Sequence, residues 1–171
     1  MVEQDSKAVV DHPHEYFQAE IIKRAGQNIM LLTDHFSSSQ TAMLIESEKA
    51  IDLKRGLILL TQASRRPGWI KVMLDNAKGF ESLVKQNNEE LKELQLEFLL
   101  TDVFNKNANA VTDKACQELE EELRKLSPEG KQVTQAQISR AVIEVNKKLR
   151  RRGELSAYEV NTARDMKHKH G

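Results

Sequence analysis

The sequence predicts an α/β domain with a mixed five-stranded sheet and helices on both faces of the sheet. Three short apolar segments follow one another with brief polar links, which predicts an antiparallel meander over residues 16–45. After residue 45 the apolar spacing changes to three and four, and helical segments then alternate with strand-like segments at residues 70–74 and 96–101. We expect those last two strands to be parallel.

The first three strands are predicted from alternation and composition. In residues 16–24 apolar and polar side chains alternate, which places Glu20 in the middle of the first strand. Residues 25–27 make a connection of hairpin length, and residues 28–36 are nearly all apolar, which predicts a central strand. The third strand is predicted over residues 40–45, after three consecutive serines.

Helical spacing dominates the rest of the chain. The first helix has apolar residues around more than one side of its cylinder, so we expect it to be covered on more than one side. A loop of small and amide residues precedes the long third helix, and Thr134 with Gln137 has the spacing of a capping box. Helices are predicted over residues 46–64, 81–94, 109–126, 134–152 and 156–165.

Composition limits the class of protein. A chain of 171 residues is expected to form one domain, and 39% apolar with 30% charged residues is globular. Lys plus Arg equals Asp plus Glu at 26 each, so any binding to a polyanion must come from local patches. The single cysteine, Cys116, excludes an intramolecular disulfide and is expected to be a small buried helix residue. With no run of 18 apolar residues, we expect a soluble intracellular protein.

Three carboxylates are candidates for a metal site. Asp75 directly follows a predicted strand, Glu20 lies mid-way along the first strand, and Asp113 is expected in the first turn of the long helix. Each also has an ordinary interpretation: a turn for Asp75, a solvated strand residue for Glu20, and a partner of the helix dipole for Asp113. If they converge at one sheet edge, they provide the oxygen ligands that two divalent cations require for phosphodiester chemistry.

Over roughly residues 11–165 the chain has the order and spacing of a known family, and five segments carry the match. They are FQAEIIKR (17–24), TDHFSS (33–38), VMLDNAKGFESL (72–83), NKNANAVTDKACQELEEEL (105–123) and LRRRGELSAYEVNTARD (149–165). On these segments the chain resembles the catalytic core of integrases from long-terminal-repeat retrotransposons of the gypsy type, which are related to retroviral integrases and transposases. The resemblance implies a ribonuclease-H-like fold with three antiparallel and then two parallel strands.

The resemblance also implies a catalytic site. In the family an Asp, an Asp and a Glu hold two Mg²⁺ or Mn²⁺ ions, and the matching residues here are Glu20, Asp75 and Asp113. Asp75 agrees with the pattern, whereas Glu20 replaces an Asp and Asp113 replaces a Glu. Both departures keep the charge and move the oxygens by about one methylene, which we expect to affect turnover more than fold or metal affinity.

Candidate DNA-binding residues lie after the third acid and near the end of the chain. Retroviral relatives use the residues four and seven positions after that acid, which here are Gln117 and Glu120; Gln117 can donate a hydrogen bond to DNA, but Glu120 cannot help to bind a polyanion. A basic segment could bind phosphate, although such a run is often only a solvated helix end. Its residues are Lys147, Lys148, Arg150, Arg151 and Arg152, with Lys23, Arg24, Arg65 and Arg66 as further candidates.

We therefore expect a polar lead-in (1–14), an integrase catalytic core (15–165) and a tail (166–171). The flanking zinc-binding and β-barrel domains of complete integrases are not recognisable, so the chain is expected to be the core alone. The resemblance implies a nuclease and transferase that processes 3′ ends and transfers strands, with DNA as partner, a homodimer or higher oligomer, no membrane and no small-molecule substrate. It would act in the nucleus when the target is host DNA.

Two other interpretations remain open. The exchanges at Glu20 and Asp113 also fit a catalytically inactive or host-adopted integrase-like domain that binds DNA or protein partners. A helical interaction protein is the third possibility, since residues 90–100 and 116–126 have coiled-coil composition, but neither segment sustains the heptads that a coiled coil needs.

Overall fold

The computed structural model describes residues 15–63, 68–74, 78–85, 89–100 and 106–148, with the backbone alone for residues 78 and 106–112. Within these ranges the strands form one five-stranded sheet in the order β3-β2-β1-β4-β5. The strands are β1 (Tyr16–Arg24), β2 (Gln27–Asp34), β3 (Gln40–Ile45), β4 (Ile70–Leu74) and β5 (Leu96–Leu100). The helices are α1 (Ala50–Ala63), α2 (Lys78–Lys85), α3 (Glu89–Glu93), α4 (Lys106–Leu126) and α5 (Gln135–Lys147).

The strand directions confirm the predicted mixed sheet. β1 pairs with β2, and β2 with β3, in antiparallel register, whereas β4 is parallel to both β1 and β5. The β1–β2 hairpin closes with a two-residue loop, Ala25 and Gly26, whose φ angles of 49° and 79° are both positive. Such a turn matches the twist of an antiparallel pair, and glycine adopts it without steric cost. β1 lies at the centre of the sheet, since it pairs with β2 on one side and with β4 on the other.

Each face of the sheet is covered by its own helices. One core joins alternate residues of β1, such as Phe17 and Ala19, to α1, α2 and α3. The other core joins Ile22 of β1 and Ile29 and Leu31 of β2 to α4 and α5. Because side chains alternate along a strand, Gln18 and Glu20 share the α4 face with Ile22. This confirms the prediction of helices on both faces.

Two predicted boundaries move because side chains form turns there. β2 ends at Asp34 instead of residue 36, since the Asp34 carboxylate accepts the Phe36 amide at 3.1 Å and the Ser37 hydroxyl at 3.0 Å. α1 begins at Ala50 instead of residue 46, where the Ser47 hydroxyl accepts the Lys49 amide at 3.1 Å.

The other helix boundaries also differ from the prediction. α4 begins at Lys106, so part of the segment predicted as a loop is helical; its alanines and lysine are good helix formers. The polar segment predicted as one helix over residues 81–94 contains two, α2 and α3. The capping box at Thr134 and Gln137 is confirmed, but α5 ends at Lys147, where the extended backbone of Lys148 follows. The helix predicted over residues 156–165 lies outside the described residues.

Helix α1 packs against the sheet and against α2, and one stripe of the helix stays exposed within the described part of the chain. Leu53 and Leu57 are buried against the sheet, but Ile51 is 64% exposed and Leu59 is 53% exposed. The expectation that this helix is covered on more than one side is therefore confirmed for Ile58, which packs against the core, and wrong for Ile51 and Leu59 in the single chain. No helix among the described residues is long and apolar enough to cross a membrane.

Side chains from both ends of α5 pair with the outer edge of β3. The Asn146 side chain accepts the Gln40 amide at 2.7 Å and donates to the Gln40 carbonyl at 2.9 Å. Gln135 accepts the Leu44 amide at 2.8 Å and donates to the Ala42 carbonyl at 3.2 Å. These amides occupy backbone groups that an edge strand would otherwise offer to another chain.

The two leucines of α1 provide a matched test of the fold. We expect Leu57→Ala to lower the free energy of unfolding by about 2–5 kcal/mol, because it leaves a cavity in the core. Leu59→Ala should change it by less than about 0.5 kcal/mol, because the side chain is exposed. Urea unfolding of both variants measures the difference. Equal losses would contradict this packing of α1, and a loss for Leu59→Ala that grows with protein concentration would indicate an assembly that covers it.

Candidate active site

The first predicted acid lies where the two halves of the sheet meet. Glu20 is partly exposed in the middle of β1 and is paired with Leu31 of β2. Its neighbour Ala19 is paired with Leu74, the last residue of β4. Asp75 is the next residue in the sequence and lies outside the described residues.

The third predicted acid lies on α4, which packs against the same face of the sheet. Ala115, Leu119 and Leu123 are buried, which turns Asp113, Cys116 and Glu120 toward the flank of the helix. Positions three and four apart share one face of a helix, so these three residues are adjacent.

The helix dipole does not account for Asp113. α4 begins at Lys106, seven residues earlier, and has no acidic residue in its first turn. The prediction that Asp113 lies in the first turn is therefore wrong. The dipole acts within the first turn, so its attraction gives no reason for an acid at position 113.

A direct contact joins β1 to α4 at this place. The Cys116 thiol donates a hydrogen bond to Glu20 Oε2, with an S···O distance of 2.5 Å. Burial raises the pKa of Cys116 most, and the hydrogen bond to Glu20 and the charges of Glu20, Glu120 and Asp113 raise it further. The thiol is therefore held protonated, as a donor. Cys116 is only partly buried. The prediction of a small buried helix residue did not include this polar contact.

The carboxylates around Cys116 form a cluster of like charge. Among the described side chains no lysine or arginine forms an ion pair with Asp113 or Glu120. Carboxylate oxygens are hard ligands that suit Mg²⁺ or Mn²⁺, so the donor chemistry fits these ions. Within the described ranges, however, no three His, Cys, Asp or Glu side chains are placed to hold a metal ion. The three-acid site, which needs Asp75, stays a prediction.

Buried polar residues that were not among the predicted site residues lie beside this cluster. Gln18 is buried and its Oε1 atom is 2.9 Å from Nε2 of His35. Gln40 donates from Nε2 to the Ala115 carbonyl at 3.0 Å, which ties β3 to α4. The alternation along β1 places Gln18 on the same face as Glu20, and this pattern could have identified Gln18 as a site residue. The hydrogen-bond partners of Gln18 and Gln40 are distant in sequence, so no local pattern indicates them.

The candidate DNA-binding residues have different environments. Gln117 and Lys147 are exposed, whereas Lys148 donates to the buried Glu122 at 2.5 Å. Arg150, Arg151 and Arg152 lie outside the described residues, as do Arg65 and Arg66. The DNA-binding role of these residues stays a prediction.

The two further basic candidates in the hairpin already have protein partners. Lys23 forms an ion pair with Glu48 at 2.8 Å. The Arg24 guanidinium donates to the carbonyls of Ser127, Pro128 and Lys131, so it holds the hairpin against the segment between α4 and α5.

The fold matches solved structures of integrases. The catalytic core domain of BIV integrase superposes with a TM-score of 0.68 at 18% identity, over 91% of this chain and 99% of that one. A chain of the simian T-cell lymphotropic virus intasome in complex with PP2A regulatory subunit B56 gamma gives 0.70 at 17% identity, over 87% of this chain and 54% of that one. No family model and no curated protein matches the sequence. The fold is therefore the ribonuclease-H-like fold of integrase cores.

The Glu122 ion pairs predict a pH dependence of stability. Burial raises the pKa of Glu122, but hydrogen bonds from Lys148 and Lys125 and their charges outweigh it and leave the pKa below its ordinary value. A lowered pKa in the folded state contributes stability that is present above the ordinary pKa and is lost as pH falls through the folded value.

We expect Glu122→Gln to remove this contribution, because glutamine does not titrate. Denaturant unfolding between neutral pH and pH 3 would then show a shallower acid limb for the variant than for the native chain. Glu121→Gln, at an exposed neighbouring position of α4, is the matched control and should keep the native slope. If the native chain and Glu122→Gln lose the same amount of unfolding free energy as pH falls, the ion-pair interpretation is contradicted.

Proposed function

We propose that this chain is the catalytic core of a gypsy-type retroelement integrase, a metal-dependent polynucleotidyl transferase that acts on DNA. The observation that carries the proposal is the approach of Glu20 on β1 to the acidic face of α4, on the fold of integrase cores. Glu20, Asp75 and Asp113 would hold two Mg²⁺ or Mn²⁺ ions. The proposal requires the Asp75 carboxylate to share an ion with Glu20, and the pairing of Ala19 with Leu74 supports this.

Each residue has a defined task in this proposal. The bound ions would supply Lewis-acid chemistry, lowering the pKa of the attacking water or 3′-hydroxyl and stabilising the leaving oxygen. The carboxylates of Glu20, Asp75 and Asp113 fix the positions of the ions. Gln117 on the exposed flank of α4 would donate to the DNA backbone. No protein nucleophile is required, which agrees with a Cys116 thiol that is held protonated.

The proposal extends to partners and location. Integrase chemistry joins two DNA molecules, so the substrate is an element end and a target duplex. We propose that the chain acts as a homodimer or higher oligomer, and in the nucleus when the target is host DNA.

A metal-dependent assay tests the proposed reaction. We expect strand-transfer or disintegration activity in Mn²⁺ that falls by at least about 1,000-fold in Asp75→Asn, because that variant removes the charge of a carboxylate that would hold the ions. Gel analysis of labelled DNA gives the rate, and Asp52→Asn, an acid of α1 on the other face of the sheet, is the control. Absence of activity in the native chain and in the Glu20→Asp, Asp113→Glu double variant would leave the catalytically inactive DNA- or partner-binding domain.

The two exchanged acids should be energetically coupled. Relative to the family pattern, the acid on β1 is one methylene longer and the acid on α4 is one methylene shorter. Each exchange displaces the carboxylate oxygens by about one methylene. We expect Glu20→Asp and Asp113→Glu each to lower the rate about tenfold or more. The loss of rate in the double variant should be smaller than the product of the two single losses. Additive losses measured in the same DNA assay would show that the two positions do not share a site.

Phosphate contacts predict a salt-dependent loss of DNA affinity. Replacing Lys147, Arg150, Arg151 and Arg152 with alanine should weaken binding equally for unrelated sequences and lower the salt slope by about one unit per lost contact. Fluorescence anisotropy against salt concentration gives both quantities. The control removes the exposed charges of Lys49, Arg55, Lys85 and Lys92 on the α1–α3 side. An equal loss of DNA affinity in the control variant would exclude the basic segment as the DNA-binding surface.

A further inference from the structure

The contact between Cys116 and Glu20 gives the cysteine a task that the sequence did not indicate. The thiol donates a hydrogen bond to Glu20 Oε2, at an S···O distance of 2.5 Å and across 96 residues of sequence. A carboxylate has two oxygens and about four acceptor positions, so a single hydrogen bond from a thiol occupies only one of them.

Glutamate needs such a restraint more than aspartate does. It has one more rotatable bond between the strand and the carboxylate, and fixing a glutamate side chain costs about 1.5–2 kcal/mol of rotamer entropy. Functional groups must be held within about 0.5 Å to work, and ligating carboxylates are themselves usually held by hydrogen bonds from neighbouring side chains. A cysteine on a helix has one side-chain torsion and few allowed rotamers, so it is a well-fixed donor.

We propose that Cys116 is a positioning residue that holds the Glu20 carboxylate in the orientation in which it binds a divalent cation. This inference rests on the proposed function, because it concerns the same site. It assigns the cysteine to the site through Glu20, without contact with metal or DNA. It also predicts that the native glutamate and the cysteine depend on each other.

Mn²⁺ binding measures this role directly. We expect Cys116→Val, which is close in volume and cannot donate, to weaken Mn²⁺ affinity by about tenfold or more, since removing such a supporting hydrogen bond typically costs 10–100-fold. Cys116→Ser keeps a donor and should recover most of the affinity. Isothermal titration with Mn²⁺ alone gives the affinity, thermal unfolding checks that each variant is folded, and Glu121→Gln is the control for a carboxylate of α4 outside the cluster.

A second background separates positioning from packing. In Glu20→Asp the carboxylate is withdrawn by about one methylene, roughly 1.5 Å, which lengthens and weakens its hydrogen bond with the thiol. If Cys116 acts through Glu20, adding Cys116→Val to Glu20→Asp will change Mn²⁺ affinity by less than about twofold. If it acts by packing, the full loss will persist.

The outcomes distinguish this inference from the proposed function. A loss in Cys116→Val, recovery in Cys116→Ser and no added loss in the Glu20→Asp background support the positioning role. Native affinity in a folded Cys116→Val, or an undiminished loss in Glu20→Asp, overturns it and leaves the proposed function intact. No Mn²⁺ binding to the native chain overturns both.

Discussion

The alternation of side chains along β1 is the constraint on which the candidate site depends. β1 is paired on both sides, so a shift by one residue would exchange its two faces and break both ladders. Phe17 and Ala19 enter one core, which fixes Gln18 and Glu20 on the other face with Ile22. The position of the acid is thus a consequence of packing: wherever the apolar residues of β1 are buried correctly, Glu20 faces α4.

The packing of α4 then decides what Glu20 meets. Burial of Ala115, Leu119 and Leu123 fixes the rotation of the helix about its axis. That rotation brings Cys116 against Glu20, with Asp113 and Glu120 one turn to either side. Gln40 reinforces the arrangement by bonding the Ala115 carbonyl from β3. One core therefore both stabilises the domain and sets the geometry of the acidic face.

Local patterns predicted the strands well and the contacts poorly. Alternation and flanking polar residues were sufficient for β1, β3 and β4, whose predicted and observed bounds agree. The end of β2 and the start of α1 were missed because Asp34 and Ser47 offer side-chain bonds that compete with the regular backbone ladder, and periodicity does not register such competition. The Glu20–Cys116 contact spans 96 residues. It follows from the rotation of a helix against a sheet, which no local pattern contains.

The electrostatics of the site argue that its acids serve something other than stability. Glu122, on the same helix, shows how an acid is accommodated structurally: it is buried and bonded to two lysines. Asp113 and Glu120 have no such cations among the described side chains, although Glu20 adds a third charge beside the same thiol. Carboxylates that repel one another raise the free energy of the folded state, and proteins break local rules of this kind mainly at functional sites. The proposed divalent cation would offset this repulsion, because its charge is opposite to that of the carboxylates.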